Sequence, residues 1–160
     1  MIVIVDSTPL IYLAAIGKFG LLRTLYQQLI IPQAVYDEVV TQGAGRWGAS
    51  ETASAAWIDC RAISDPSKLP SPQAHLHGGE REVIGLAEEL RADLVLMDEA
   101  AGRRELSTRG IKCLGTVGLM IHAKQRGLIA ALKPELDQLR ACGFHLSNRL
   151  MQICLALVGE

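Results

Sequence analysis

The first acid of the chain ends an apolar run, MIVIVD, in which Asp6 follows Ile2–Val5 directly. A second run, LVLM at 94–97, also ends on a carboxylate, Asp98. Both runs are short and aliphatic and read as buried strands. In an open parallel sheet, sites form beyond the carboxyl ends of the strands. Neighbouring strands lie roughly 4.8 Å apart, so acids ending two adjacent strands crowd their charges at one sheet edge. Ionised neighbours repel. A hard divalent cation, Mg2+ or Mn2+, relieves that repulsion, because such ions take carboxylate oxygens and water as ligands.

Helical geometry nominates two further acids. In GEREVIGLAEEL, Val83, Ile84, Leu86, Ala87 and Leu90 form an apolar stripe. Glu80 lies nearest that stripe, one turn before Ile84, while Glu82 falls further round towards solvent. In PQAVYDEVV, Glu38 flanks the Val35/Val39 stripe and Asp37 points nearly opposite. Four candidates result: Asp6, Glu38, Glu80 and Asp98. Each also has an ordinary structural role, since a strand-terminal Asp caps the next helix and a first-turn Glu complements the helix dipole. Only their joint placement favours a site.

The elements that must position these acids follow the order strand, helix, strand, helix. Ile2–Val5, Leu94–Met97 and Ile111–Leu114 read as strands, each followed by a helix-start signal. Ser7 or Thr8 can cap the first helix, with Pro9 in its first turn. A shorter run, Leu29–Ile31, ends at Pro32, where the PQAVYDEVV helix starts. Gly115-Thr116 opens another helix that closes at Gly127. Residues 43–79 are variable in character: a short helix, an edge strand around Trp57–Ile63, then a loop with three prolines. Two closing helices follow within residues 128–160. The expected fold is α/β, a three-layer sandwich around a central parallel β-sheet, in a single domain spanning 1–160.

Composition narrows the function classes. The chain is 49% apolar and 21% charged with net charge −1, so it is globular and no basic nucleic-acid sponge. Residues 1–98 hold 7 Lys/Arg against 12 Asp/Glu, and residues 99–160 hold 9 against 5. The split hints at an acidic centre beside a basic margin, from which Arg103, Arg104, Lys112, Lys124 and Arg126 are candidates to hold a phosphate backbone. Four cysteines without CxxC spacing read as small buried hydrophobes of a reducing compartment. The N-terminal apolar run is too short for a secretory signal and no stretch approaches a membrane span. A cytoplasmic protein is expected. His75-x-His77 sits in a Pro/Gly loop without a fourth ligand, which argues against a transition-metal site. No matched His supports a Ser7 triad, and no GxGxxG or P-loop Lys is present.

Taken together, VIVDSTPLIYLAAIG, IPQAVYDEVV, GEREVIGLAEELRADLVLMDEAAGRREL and GTVGLMIHAKQRGLI, with the tail LKPELDQLRACGFHLS, resemble the PIN-domain family, in particular a branch close to VapC-type toxins. The resemblance implies a metal-dependent ribonuclease using Mg2+ or Mn2+, with Asp6, Glu38 and Asp98 at the family's acidic positions. Glu80 stands where the family more often has Asp, which leaves Glu82 open as a stand-in. It further implies outer-shell or substrate contacts from Ser7, Glu82, Glu99, Arg103 and Thr116, with Arg104 able to replace Arg103. RNA, a second copy in a homodimer and an antitoxin protein are the implied partners. Two alternatives stay open: a non-catalytic PIN-fold module that binds RNA or a protein, and a receiver-like phosphoacceptor. The latter lacks a suitably placed late Lys.

Overall fold

Five short strands pair in parallel in the order β3-β2-β1-β4-β5. They are β1 (Val3–Val5), β2 (Leu29–Pro32), β3 (Ile58–Arg61), β4 (Leu94–Leu96) and β5 (Cys113–Leu114). This is a computed structural model, which describes residues 1–160 apart from the side chain of Gln73. Val3, Ile4, Val5, Val95, Leu96 and Met97 are fully buried. A parallel sheet covered on both faces demands such continuous apolar strands, and each large aliphatic side chain buried contributes about 1.5–3 kcal/mol. The edge strand β3 is instead mostly exposed and carries Asp59 and Arg61, an ion pair that suits an open edge.

The helices follow from chain direction. β1 leads to β2 on one side and β4 leads to β5 on the other. Right-handed crossovers then put the helices after β1 and β4 on opposite faces. α1 (Ser7–Ala15) packs with α4 (Ala49–Ser54) and α7 (Thr116–Gln125), and α7 packs with α9 (Asn148–Leu157). On the other side α5 (Gly78–Glu89) packs with α6 (Ala100–Thr108), and it also meets α3 (Gln33–Tyr36). The result is the three-layer α/β sandwich expected from the strand–helix alternation. The remaining helices are α2 (Gly20–Tyr26), between α1 and β2, and α8 (Lys133–Ala141), before α9.

Three local expectations change. Asp6, not Ser7 or Thr8, occupies the N-cap position of α1. The PQAVYDEVV helix is α-helical only through Tyr36 and continues as a π-helix over Asp37–Thr41. Its wider turn is closed by the Gln42 N–H donating to the Asp37 carbonyl at 2.8 Å. The proline-rich loop contains two short 3-10 turns, Pro66–Lys68 and Pro72–Ala74.

Candidate functional site

The sheet changes direction between β1 and β4, and that switch point is where open α/β sheets place their ligands. β1 and β4 are in register with Val5 opposite Leu96, and the Asp6 N–H donates to the Leu96 carbonyl at 2.9 Å. Asp6 and Asp98 therefore leave adjacent parallel strands at the same sheet edge.

Asp6 is 4% exposed, and its carboxylate makes no capping bond to α1. Burial raises its pKa from 3.8 to about 7, opposed by the Ser7 N–H and reinforced by the charges of Glu80, Glu38 and Asp98. Those three charged neighbours are all acids. An N-capping aspartate has the opposite signature, a stabilised anion.

Asp98 is held by Thr116, a fully buried residue whose N–H donates to Oδ1 at 2.8 Å and whose hydroxyl donates to Oδ2 at 2.6 Å. Burial raises its pKa, while the Thr116 bonds and the Arg103 guanidinium pull it down and Glu99 pushes it up. Arg103 lies so close that a Cβ on Gly115 would come within 2.8 Å of its Nη1 and 2.9 Å of Asp98 Oδ1. Gly115 is needed for that approach. Asp98, Glu99 and Arg103 open onto a cleft of about 550 Å3 that also reaches Tyr12 and His145.

Glu38 stands in the π turn, a distortion that recurs at functional sites. Ser7, itself buried at the start of α1, donates from its hydroxyl to Glu38 Oε2 at 2.7 Å. The first turn of α5 closes against the same group. A Cβ on Gly79 would stand 3.0 Å from Glu38 Oε2 and 4.0 Å from Asp6 Oδ1, so this helix N-terminus comes close to both acids. Its positive end favours the anions it meets.

Glu80 and Glu82 part company. Glu80 is among the charges felt by Asp6, and its own pKa is raised by burial and by Glu99 and Glu38, against the His77 N–H that donates to it at 3.2 Å. Glu82 neither faces solvent nor joins this group, contrary to the helical-phase and stand-in readings. Its Oε2 accepts from the Ala34 N–H at 3.0 Å and so satisfies a free donor in the first turn of α3. The structure thus gathers Asp6, Glu38, Glu80 and Asp98 in one electrostatic neighbourhood, with Ser7 and Thr116 holding two of them and Glu99 and Arg103 at the rim.

The basic margin does not form. Lys112 precedes β5, while Lys124 lies in the last turn of α7 and Arg126 just beyond it, on a helix that runs back from the acidic edge, so all three lie at the opposite edge of the sheet. Arg126 accordingly acts on Tyr26, just before β2, and Lys124 donates to the Ala130 carbonyl. Arg103, not Arg104, is the cation beside Asp98. Sequence reasoning missed Gly79 and Gly115. Each stands at a helix start, which is legible in the sequence, but the acid it approaches is set by the fold.

Among the described residues, no three His, Cys, Asp or Glu side chains are gathered to hold a metal ion as placed. Glu38 is turned to Ser7, Glu80 to His77 and Asp98 to Thr116. The donor set nonetheless fits a hard divalent cation, being all oxygen, largely shielded from water at Asp6 and mutually repulsive. No helix among the described residues is long and apolar enough to cross a membrane.

Comparison with known proteins bears on the fold and the family. The chain is similar to the solved structure of a PilT N-terminus domain protein, SSO1118, from the hyperthermophilic archaeon Sulfolobus solfataricus P2. The two share 18% identity at a TM-score of 0.54, over 74% of this chain and 90% of that one, a likeness of fold alone. No curated protein matches. The model of a family described as DUF3368: PIN domain matches residues 2–160, nearly the whole chain. With acids ending the two strands at the switch point of a nuclease-like fold, the chain belongs to the PIN-domain family.

Proposed function

We propose that the chain is a Mg2+- or Mn2+-dependent endoribonuclease that hydrolyses RNA phosphodiesters at Asp6, Glu38, Glu80 and Asp98. One observation carries the reading: Asp6 is buried at the sheet switch point among three other carboxylates. Folding a chain around such a group in its charged form is unfavourable unless a cation joins it. A divalent cation held by these acids supplies charge neutralisation at a scissile phosphate and a more acidic bound water. The chain's own residues do the rest. Thr116 fixes both oxygens of Asp98, Ser7 orients Glu38, and Arg103 offers a guanidinium to the phosphate at the mouth of the cleft.

The test is cleavage of single-stranded and structured RNA with and without Mn2+, comparing wild type with Asp6→Asn. The reading expects Mn2+-dependent cleavage that Asp6→Asn removes. Equal activity of the two proteins overturns it. The resemblance to VapC-type toxins extends the proposal to a homodimer whose acids are masked by an antitoxin. Growth arrest on expression, relieved by Asp6→Asn, tests that extension.

A second reading is a non-catalytic RNA- or partner-binding module. The observation in its favour is that the acids, as placed, do not close on a common ion. A Mn2+ titration separates the two, because a module with an unused site binds no Mn2+ that depends on Asp6.

A further inference from the structure

We propose that Trp47 and Arg46 form a platform for one unpaired base and its phosphate, so that the substrate enters as a single RNA strand beside Glu38. This rests on the ribonuclease reading for the identity of the strand, and on the following geometry for the platform.

Glu38 lines a cleft of about 540 Å3 together with Ile11, Val39, Arg46 and Trp47. Trp47 is 51% exposed, although an indole of this size normally gains by burial. The other tryptophan, Trp57, is only half-exposed or less and is packed against Phe19 with ring centroids 5.6 Å apart. Trp47 has no such ring partner among the described residues. Arg46 is likewise exposed, and no hydrogen bond or ion pair engages its guanidinium among the described residues. An apolar wall, a free aromatic face and a free guanidinium next to an acid of the site match the needs of a stacked base with its phosphate.

The platform is braced rather than loose. Gly48, in the left-handed region at φ +86°, packs so tightly on α1 that a Cβ there would stand 3.2 Å from Ile11 Cα and from the Leu10 carbonyl oxygen. A Cβ on Gly43 would collide with the Val39 carbonyl oxygen in the π turn. Between these contacts the Arg46 N–H donates to the Gly43 carbonyl at 2.9 Å, and the Thr52 N–H donates to the Gly48 carbonyl at 2.9 Å. The segment that carries Trp47 is therefore anchored to the helix holding Ser7 and to the turn holding Glu38. A backbone already held in place has less freedom to lose when a base stacks on the ring it carries.

The test uses the full chain with Trp57→Phe, leaving Trp47 as the one tryptophan, titrated in EDTA with a 12-nucleotide RNA, the same RNA as a duplex, and an abasic strand of equal length. The single strand is expected to quench Trp47 fluorescence. Read by the anisotropy of end-labelled RNA, which needs no tryptophan, binding should fall about tenfold for Trp47→Leu and for the abasic strand, with Trp47→Phe between, the scale of one lost base stack. Arg46→Ala should weaken binding and flatten its salt dependence. Unchanged Trp47 fluorescence, or abasic and duplex ligands binding as well as the single strand, overturns the platform. Because EDTA blocks metal-dependent cleavage, these outcomes stand apart from the activity test. Quenching by an RNA that wild type never cleaves with Mn2+ leaves the platform standing and removes the ribonuclease reading. Cleavage lost in Asp6→Asn with no quenching does the reverse.

Discussion

The two ends of α5 treat their glutamates in opposite ways. At the far end, Glu88 is paired with Arg109 and with Lys68 at 3.4 Å, and Arg109 also bonds Glu105 at 2.9 Å. Glu89 accepts the N–H groups of Ser64 and Asp65, each at 3.0 Å, and the Asp65 bond leads in lowering its pKa. At the near end, Glu80 sits with Asp6, Glu38 and Asp98, and the pKa values of Asp6, Glu80 and Asp98 are raised. One helix thus carries acids that stabilise the fold and an acid that the fold tolerates. The far acids meet cations and backbone N–H groups. At the near end burial, with neighbouring acids adding to it, raises Asp6, Glu80 and Asp98 in spite of the donors that Ser7, His77 and Thr116 supply.

Asp6→Asn and Arg109→Ala pull this contrast apart most strongly. The first is expected to reduce Mn2+-dependent RNA cleavage about a thousandfold, the scale on which one electrostatic stabiliser is lost. The second should leave cleavage within about twofold, since Arg109 acts only at the far end. Comparable losses in a cleavage assay would mean that the two ends are one functional unit.

Stability against pH gives the next largest effect, and its sign is opposite to that of an ordinary paired acid. The folded-state pKa of Asp6 is about 7, against 3.8 for an aspartate free in water. The unfolded chain therefore releases this proton first. Stability attributable to Asp6 is fully present below about pH 4, declines as pH rises to about 7, and is flat above. The total is on the order of 4 kcal/mol at 1.36 kcal/mol per pKa unit. Urea unfolding in EDTA across pH 4–8 checks it: Asp6→Asn should match wild type at the acid end and exceed it at pH 8. A variant that is less stable than wild type at pH 8 would show that Asp6 is a structural cap after all.

Arg109→Ala should also lower unfolding stability by about 1–2 kcal/mol, because Glu88 and Glu105 lose a partly buried partner. The pair Glu80→Gln and Glu82→Ala gives the smallest and sharpest comparison. Glu82→Ala should lose about 1 kcal/mol, a typical capping contribution, with Mn2+ binding intact by titration calorimetry. Glu80→Gln should keep its bond from the His77 N–H and its stability while weakening Mn2+ binding. The reverse pattern would place Glu82 in the site.

Much of this molecule is legible along the chain because its signals are local. Continuous aliphatic runs announce covered parallel strands, and the stripe in GEREVIGLAEEL places α5 within a residue or two of where it forms. An acid directly after a strand can hardly avoid the carboxyl edge, so Asp6 and Asp98 were nominated by position alone. The phase of α5 also aims Glu80 inward. Phase could not say where Glu82 goes, because its partner, the Ala34 N–H, lies 48 residues earlier. Nor could it foresee the π turn at Asp37–Thr41, which is closed by backbone bonds that no side-chain period records.

Residue types and their local spacing determined which elements form and which acids could meet. Strand order, and with it the edge of the sheet on which each charge falls, was decided only by tertiary structure. Lys112, Lys124 and Arg126 are as basic as Arg103 in sequence, yet parallel pairing sends them to the opposite edge while Arg103 lands beside Asp98. Tertiary packing alone also brings the 43–48 turn onto α1 and sets Trp47 beside Glu38. The reason is physical: periodicity reports what neighbours along the chain can bury together, while a site is built where distant segments cross.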